Sequence, residues 1–132
     1  MIIKGIKDLV QEAEANIETM SVEEVIRVKD DDNTLLVDIR DIRELWRDGT
    51  IPNSIHAPRG MLEFWVDPNS PYYREQFGSG KKFIFYCAGG LRSALAAFTV
   101  KKMGLDPVAH MEGGYAKWVE SGGTTEPKEP KF

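Results

Sequence analysis

Cys87 is the only cysteine among 132 residues, and the residue types around it point to one kind of chemistry. It ends the apolar run KFIFYC; Ala88, Gly89, Gly90, Leu91 and Arg92 follow, and Ser93 opens the helical pattern SALAAFTVKKM. Glycines tolerate positive φ, so successive backbone N–H groups in such a turn can point into one concavity. The helix behind adds its unsatisfied N–H groups and the positive end of its dipole, and Arg92 adds a full positive charge. All three favour a thiolate over a thiol, and the thiolate is the nucleophile. Cys87 is therefore the candidate catalytic residue, with Ala88, Gly89, Gly90, Leu91, Arg92 and Ser93 as the loop that binds its anionic substrate. The competing reading is a core cysteine packed as a small hydrophobe beside an ordinary tight turn; Arg92 and Ser93 beyond the glycines tilt the balance towards function.

Arg59, after the third predicted strand and at the same sheet edge, is a second candidate for holding an anion. Asp38 and Arg40 lie in or just after a buried strand, where an aspartate needs a charged partner; an ion pair is expected rather than catalysis. Glu44 reads as structural in the same way. His56 and His110 are the only histidines, and their spacing suggests no metal pair. Trp118, with Tyr115 and Val119, reads as core. Two apparent motifs fail: Gly78–Lys82 (GSGKK) precedes a strand and lacks the Ser or Thr of a phosphate loop, and Asp30–Asn33 (DDDN) lacks the glycine and terminal Glu of a calcium loop.

The elements that must position these groups follow from periodicity. Helical spacing of Ile6, Leu9, Val10 and Ala13 marks the first sixteen residues as an amphipathic extension. Residues 17–20 form a short strand, and Ser21 with Glu24 makes a capping box for the next helix. Leu35–Ile39 is a strand buried on both faces; Asp41–Arg47 is helical; Ser54–Ala57 is a short strand. Residues 63–80, rich in aromatics, proline and glycine, form a long and partly helical loop. Lys82–Cys87 is the strongest strand and Ser93–Met103 the strongest helix, followed by strand Val108–Met111, helix Gly114–Ser121 and a polar, disordered tail over 124–132. Strands alternating with helices predict an α/β domain over residues 17–123, with a parallel sheet covered on both faces. Such sheets bind ligands beyond the carboxyl ends of their strands, where Cys87 falls.

Composition excludes several functions. Lys plus Arg number 17 against 21 Asp plus Glu, a net charge of −4, which argues against binding a nucleic-acid backbone. No apolar run is long enough to span a membrane, and Lys4, Lys7 and Asp8 break any signal-peptide core. One cysteine forms no internal disulfide. A reduced, cytoplasmic setting is the default expectation.

The Cys-x-x-Gly-x-Arg-Ser loop resembles the active-site loop of rhodanese-type sulfurtransferases. Asp38, Arg40, Glu44, Gly49, Ile51, Pro52 and Pro58 are similar to that family's Asp-x-Arg … Glu … Gly-x-Ile-Pro stretch, and Gly113, Gly114 and Trp118 to its closing Gly-Gly … Trp segment. The match runs in the family's order from about residue 18 to 123. The resemblance implies a five-stranded parallel sheet flanked by helices. It also implies a persulfide on Cys87, formed by attack on the outer sulfur of a small anionic donor such as thiosulfate and discharged to a thiol or protein acceptor, with no metal or organic cofactor. Two departures stand out: Thr50 where the family often has His, expected to matter little, and an aromatic stretch (63–80) longer than in minimal members, which reads equally as a lid, a docking surface or a plain surface loop. The fold also resembles that of certain tyrosine phosphatases and arsenate reductases. Their loops place five residues between Cys and Arg, whereas four intervene here, a tighter cup suited to one sulfur atom. A persulfide carrier or protein-binding module of the same fold is the other alternative to a free-standing sulfurtransferase.

Overall fold

The computed structural model describes residues 1–130. Five parallel strands form one sheet in the order β1-β5-β4-β2-β3: β1 (Glu18–Met20), β2 (Thr34–Asp38), β3 (Ile55–His56), β4 (Lys82–Tyr86) and β5 (Val108–Met111). The helices are α1 (Ile6–Asn16), α2 (Val22–Val28), α3 (Ile42–Asp48), α4 (Leu62–Val66), α5 (Leu91–Lys102) and α6 (Gly114–Glu120), with a 3-10 turn at Glu75–Gly78. The predicted α/β architecture is the one observed. The expected helix boundary at Ser93 moves two residues earlier because Gly90 is the N-cap of α5, in a left-handed conformation.

Side chains of β4 alternate between two cores, as a strand's period of two requires. Phe83, Phe85 and Cys87 join Val37, Ile39, Val108, Leu62 and Val66 of α4, and Ala96, Ala97 and Val100 of α5. Ile84 and Tyr86 face Val22 and Val25 of α2, and Tyr115 and Trp118 of α6. The sheet is thus covered on both faces. α1 is an added layer: its Val10 and Ala13 pack against Ala94 of α5. Ser21 accepts the Glu24 backbone N–H while Glu24 accepts that of Ser21, the reciprocal cap its sequence predicts.

Two segments differ from expectation. The 63–80 stretch is half core: Phe77 is buried and stacks on Phe83 at 5.4 Å, and the Arg74 guanidinium lies 4.3 Å from the Trp65 ring. Phe64 and Tyr72 remain exposed, edge to face at 6.3 Å. The tail expected to be disordered is tied down at its start. Glu126 exchanges two backbone hydrogen bonds with Thr50, each 2.9 Å, and the Trp118 indole donates to the Thr124 carbonyl at 2.8 Å. The amide and the carbonyl of Thr50 both find their backbone partners on residue 126, outside the sheet. The last two residues of the predicted tail, 131–132, lie outside the described residues.

Candidate functional site

Cys87 follows the last residue of β4 and is 1% exposed. The chain then turns through Ala88, Gly89 and Gly90 into α5. Gly90 has φ +102°, and a Cβ there would stand 3.1 Å from the Gly113 nitrogen, so the position suits glycine on both counts. This turn points two backbone amides at sulfur: Gly90 N–H at 3.2 Å and Ser93 N–H at 3.4 Å from Cys87 Sγ. The thiol in turn donates to Ser93 Oγ at 3.6 Å. Gly89 and Leu91 form the exposed rim of the loop, and Ala88 is half-buried.

The loop is braced from behind by α6. Its first free amides, those of Tyr115 and Ala116, donate to the carbonyls of Cys87 at 2.8 Å and Ala88 at 3.1 Å. This close approach explains the glycine that opens α6. Gly114 has φ +62°, and a Cβ there would fall 2.6 Å from the carbonyl atoms of Cys87 and Ala88.

Both candidate anion-binding arginines are engaged by carboxylates. Arg92 forms a two-pronged pair with Glu44 at 2.9 and 3.0 Å. The hydrogen bond to Glu44 raises the Arg92 guanidinium's pKa further, and the bond from Arg92 lowers that of Glu44 against the opposing effect of burial. Arg59 pairs with Glu63 at 3.0 Å and reaches Thr99 on α5 at 3.4 Å, so its partners are not in the Cys87 loop.

Asp38 and Arg40 form the expected ion pair, both fully buried, with Nε and Nη2 of Arg40 on the carboxylate. Arg40 also donates to the Gly49 carbonyl at 2.7 Å and lies 4.2 Å from the Tyr115 ring. Thr50 completes the cluster, its hydroxyl on Asp38 at 3.1 Å and on the Tyr86 hydroxyl at 2.9 Å. Burial, with Asp38 nearby, pushes the Tyr86 phenol well above its ordinary value. The cluster anchors α3, β2 and α6 around the base of the site. His56 is held by the Arg40 carbonyl at 2.7 Å.

Sequence reasoning passed over His110. It is 1% exposed on β5, with Nδ1 3.1 Å from Ser93 Oγ and Nε2 3.2 Å from Glu14 Oε2. Only the strand order, with β5 between β1 and β4, brings it behind the thiol. A histidine in an otherwise apolar four-residue strand was the one available signal.

A parallel α/β sheet whose central strand ends in an amide-ringed cysteine defines a Cys-loop α/β domain. The chain belongs to the rhodanese-like family: the family model described as Rhodanese-like domain matches residues 21–121. A solved protein of unknown function from Rhodopseudomonas palustris, named a possible tyrosine phosphatase, shares 52% identity and a TM-score of 0.93, over 96% of this chain and 97% of that one. The polysulfide-sulfur transferase of Wolinella succinogenes shares 27% identity and a TM-score of 0.70, over 92% of this chain and 87% of that one. The tRNA uridine(34) hydroxylase of Brucella ovis is 38% identical over 93 residues, 68% of this chain, and the match spans only 28% of that longer protein. Among the described residues no helix is long and apolar enough to cross a membrane.

Proposed function

We propose that this protein is a sulfurtransferase that carries a sulfane sulfur as a persulfide on Cys87. The observation that carries this reading is the pair of amides, Gly90 and Ser93, aimed at Sγ; charge-assisted bonds of that kind stabilise sulfur anions. The thiolate attacks the outer sulfur of a donor such as thiosulfate. A new S–S bond forms, the donor's S–S bond breaks, and sulfite leaves with the bonding pair. An acceptor nucleophile then takes the outer sulfur and returns the thiolate. The exposed rim at Gly89 and Leu91 is the route to a thiol that is otherwise covered. Beside Ala88 a depression of about 380 Å³, lined also by Arg40, Asp48, Tyr115, Ala116 and Val119, offers an acceptor a place to dock. The name of the Wolinella succinogenes protein supports the reading from outside the chain.

The arginine pairings favour a second reading. With Arg92 bound by Glu44 and Arg59 by Glu63, neither cation is free for a small dianion, which suits a carrier charged by a protein-bound persulfide. A phosphatase, as the Rhodopseudomonas palustris name suggests, is disfavoured by the four-residue interval between Cys87 and Arg92 and by the same Glu44 pairing.

The test is the intact mass after thiosulfate treatment. One added sulfur atom on the protein, absent in Cys87→Ser, with thiocyanate produced when cyanide is added, supports the enzyme. Sulfur accepted from a persulfidated protein but not from thiosulfate supports the carrier. Hydrolysis of a phosphate ester with no sulfur uptake from either source would sink both.

A further inference from the structure

Behind Cys87 runs an unbroken chain of polar side chains, buried at its start and exposed at its end, that the proposed sulfur transfer does not use. From the thiol it passes to Ser93 Oγ (3.6 Å), to His110 Nδ1 (3.1 Å), and from His110 Nε2 to the Glu14 carboxylate (3.2 Å). Ser93 and His110 are almost fully buried, while the Glu14 side chain is 39% exposed. Glu14 lines a surface depression of about 290 Å³, with Leu91 among the other lining residues. The chain therefore begins at sulfur and ends at solvent.

We propose that Glu14, His110 and Ser93 form a proton relay that removes the Cys87 proton to the protein surface, with His110 as the positioning residue that governs how readily the thiolate forms. This rests on the reading of Cys87 as the reacting thiol. The Ser93 hydroxyl has two acceptors in reach, the Gly90 carbonyl at 3.4 Å and His110 Nδ1 at 3.1 Å, and the relay uses the second. With Nε2–H donated to Glu14, Nδ1 is left to accept from the Ser93 hydroxyl, and Ser93 Oγ is left to accept from the thiol. In the step itself, the thiol proton moves to Ser93 Oγ as the Ser93 hydroxyl proton moves to His110 Nδ1. The products are a Cys87 thiolate and a His110 imidazolium, with no change in total charge. Glu14 holds the imidazolium by its Nε2–H, and the proton leaves from there to water. No oxidant, metal or second reactant is needed.

The surroundings of His110 fit a resting neutral base. Burial lowers its pKa, and the Glu14 carboxylate pulls it back up, with Glu112, just beyond β5, adding in the same direction. The flanking strands set no charge against it: its register partners are Thr19 on β1 and Phe85 on β4. From α5 it meets the Ser93 hydroxyl. The outermost member, Glu14, belongs to α1, which precedes the residues matched by the family model. The added N-terminal layer thus takes part in the site as well as covering the sheet.

Because Cys87 is the only thiol, its alkylation by iodoacetamide can be read by intact mass without ambiguity. We expect Glu14→Gln to slow alkylation at neutral pH about threefold to tenfold and to displace the rate profile towards higher pH. Glu14 is partly exposed, so this variant keeps its fold, which its thermal melting verifies. His110→Asn has the same effect or a larger one, and adding Ser93→Ala to His110→Asn costs little more, since groups acting in series are not additive. A Glu14→Gln profile superimposed on that of the parent protein overturns the relay. In a sample whose profiles do separate, a failure of both thiosulfate and a persulfidated protein to load sulfur counts against the sulfur-transfer reading and not against the relay.

Discussion

Asp38 and Arg40 show what single residues contribute beneath the Cys87 loop. Two opposite charges removed from water cost more than an exposed pair, and they persist because nearly every polar atom is matched: Asp38 by Arg40 and Thr50, Arg40 also by the Gly49 carbonyl. Removing one partner leaves the other charge buried and alone. Asp38→Ala should therefore lower stability by about 3–5 kcal/mol, read from the urea midpoint. A loss below about 1 kcal/mol would mean that Arg40 finds water. The pair was legible in the sequence because an aspartate inside an apolar run has few other uses. The pairing of Arg92 with Glu44 was not, since the partners are 48 positions apart and meet only when α3 and α5 dock. Arg92 read alone is a free cation, and in the fold it is half of an ion pair.

At the scale of elements, periodicity and turn chemistry located the strands and helices well. Each strand lies within a residue or two of its expected place; β2, β4 and β5 are short, largely apolar runs bounded by polar turns, while β1 and β3 are brief edge strands. Contacts between distant elements were beyond reach. His110 lies 96 positions from Glu14 and 17 from Ser93, so no local pattern joins them. The docking of α6 onto the Cys87 loop was equally hidden, although its glycines were visible. That docking makes a prediction. Gly114→Ala puts a methyl 2.6 Å from the carbonyls of Cys87 and Ala88 at a positive φ, so the loop or the helix must move. A loss of about 2–4 kcal/mol in chemical denaturation is expected, being backbone strain added to overpacking, along with slower sulfur uptake. Unchanged stability would show that α6 can retreat without consequence.

The molecule as a whole should lose stability on acidification in two stages. Burial lowers the pKa of native His110 below its ordinary value of 6.5 despite the opposing pull of Glu14. As pH falls below 6.5, the unfolded chain takes up this proton before the native one does, so stability declines in the window between 6.5 and the lower native value. The Glu44 carboxyl, lowered first by its bond from Arg92, titrates natively below its ordinary 4.5. Its contribution is complete above 4.5 and is lost as pH falls further. Melting temperatures recorded from about pH 7.5 down to about pH 3.5 should show both declines, and His110→Asn should flatten the first alone. A melting curve flat between about pH 7 and about pH 5 would contradict the burial of a neutral imidazole.

The amides of Tyr115 and Ala116 that hold the carbonyls of Cys87 and Ala88 come from a helix made almost thirty residues after the cysteine. During synthesis on the ribosome, the thiol emerges well before the backbone that shapes its surroundings. A nascent chain halted ahead of residue 114 would hold the bend by Gly90 and Ser93 alone, with the carbonyls of Cys87 and Ala88 left without their partners until α6 clears the exit tunnel and docks. The shape of the Cys87 loop is thereby coupled to the synthesis of α6.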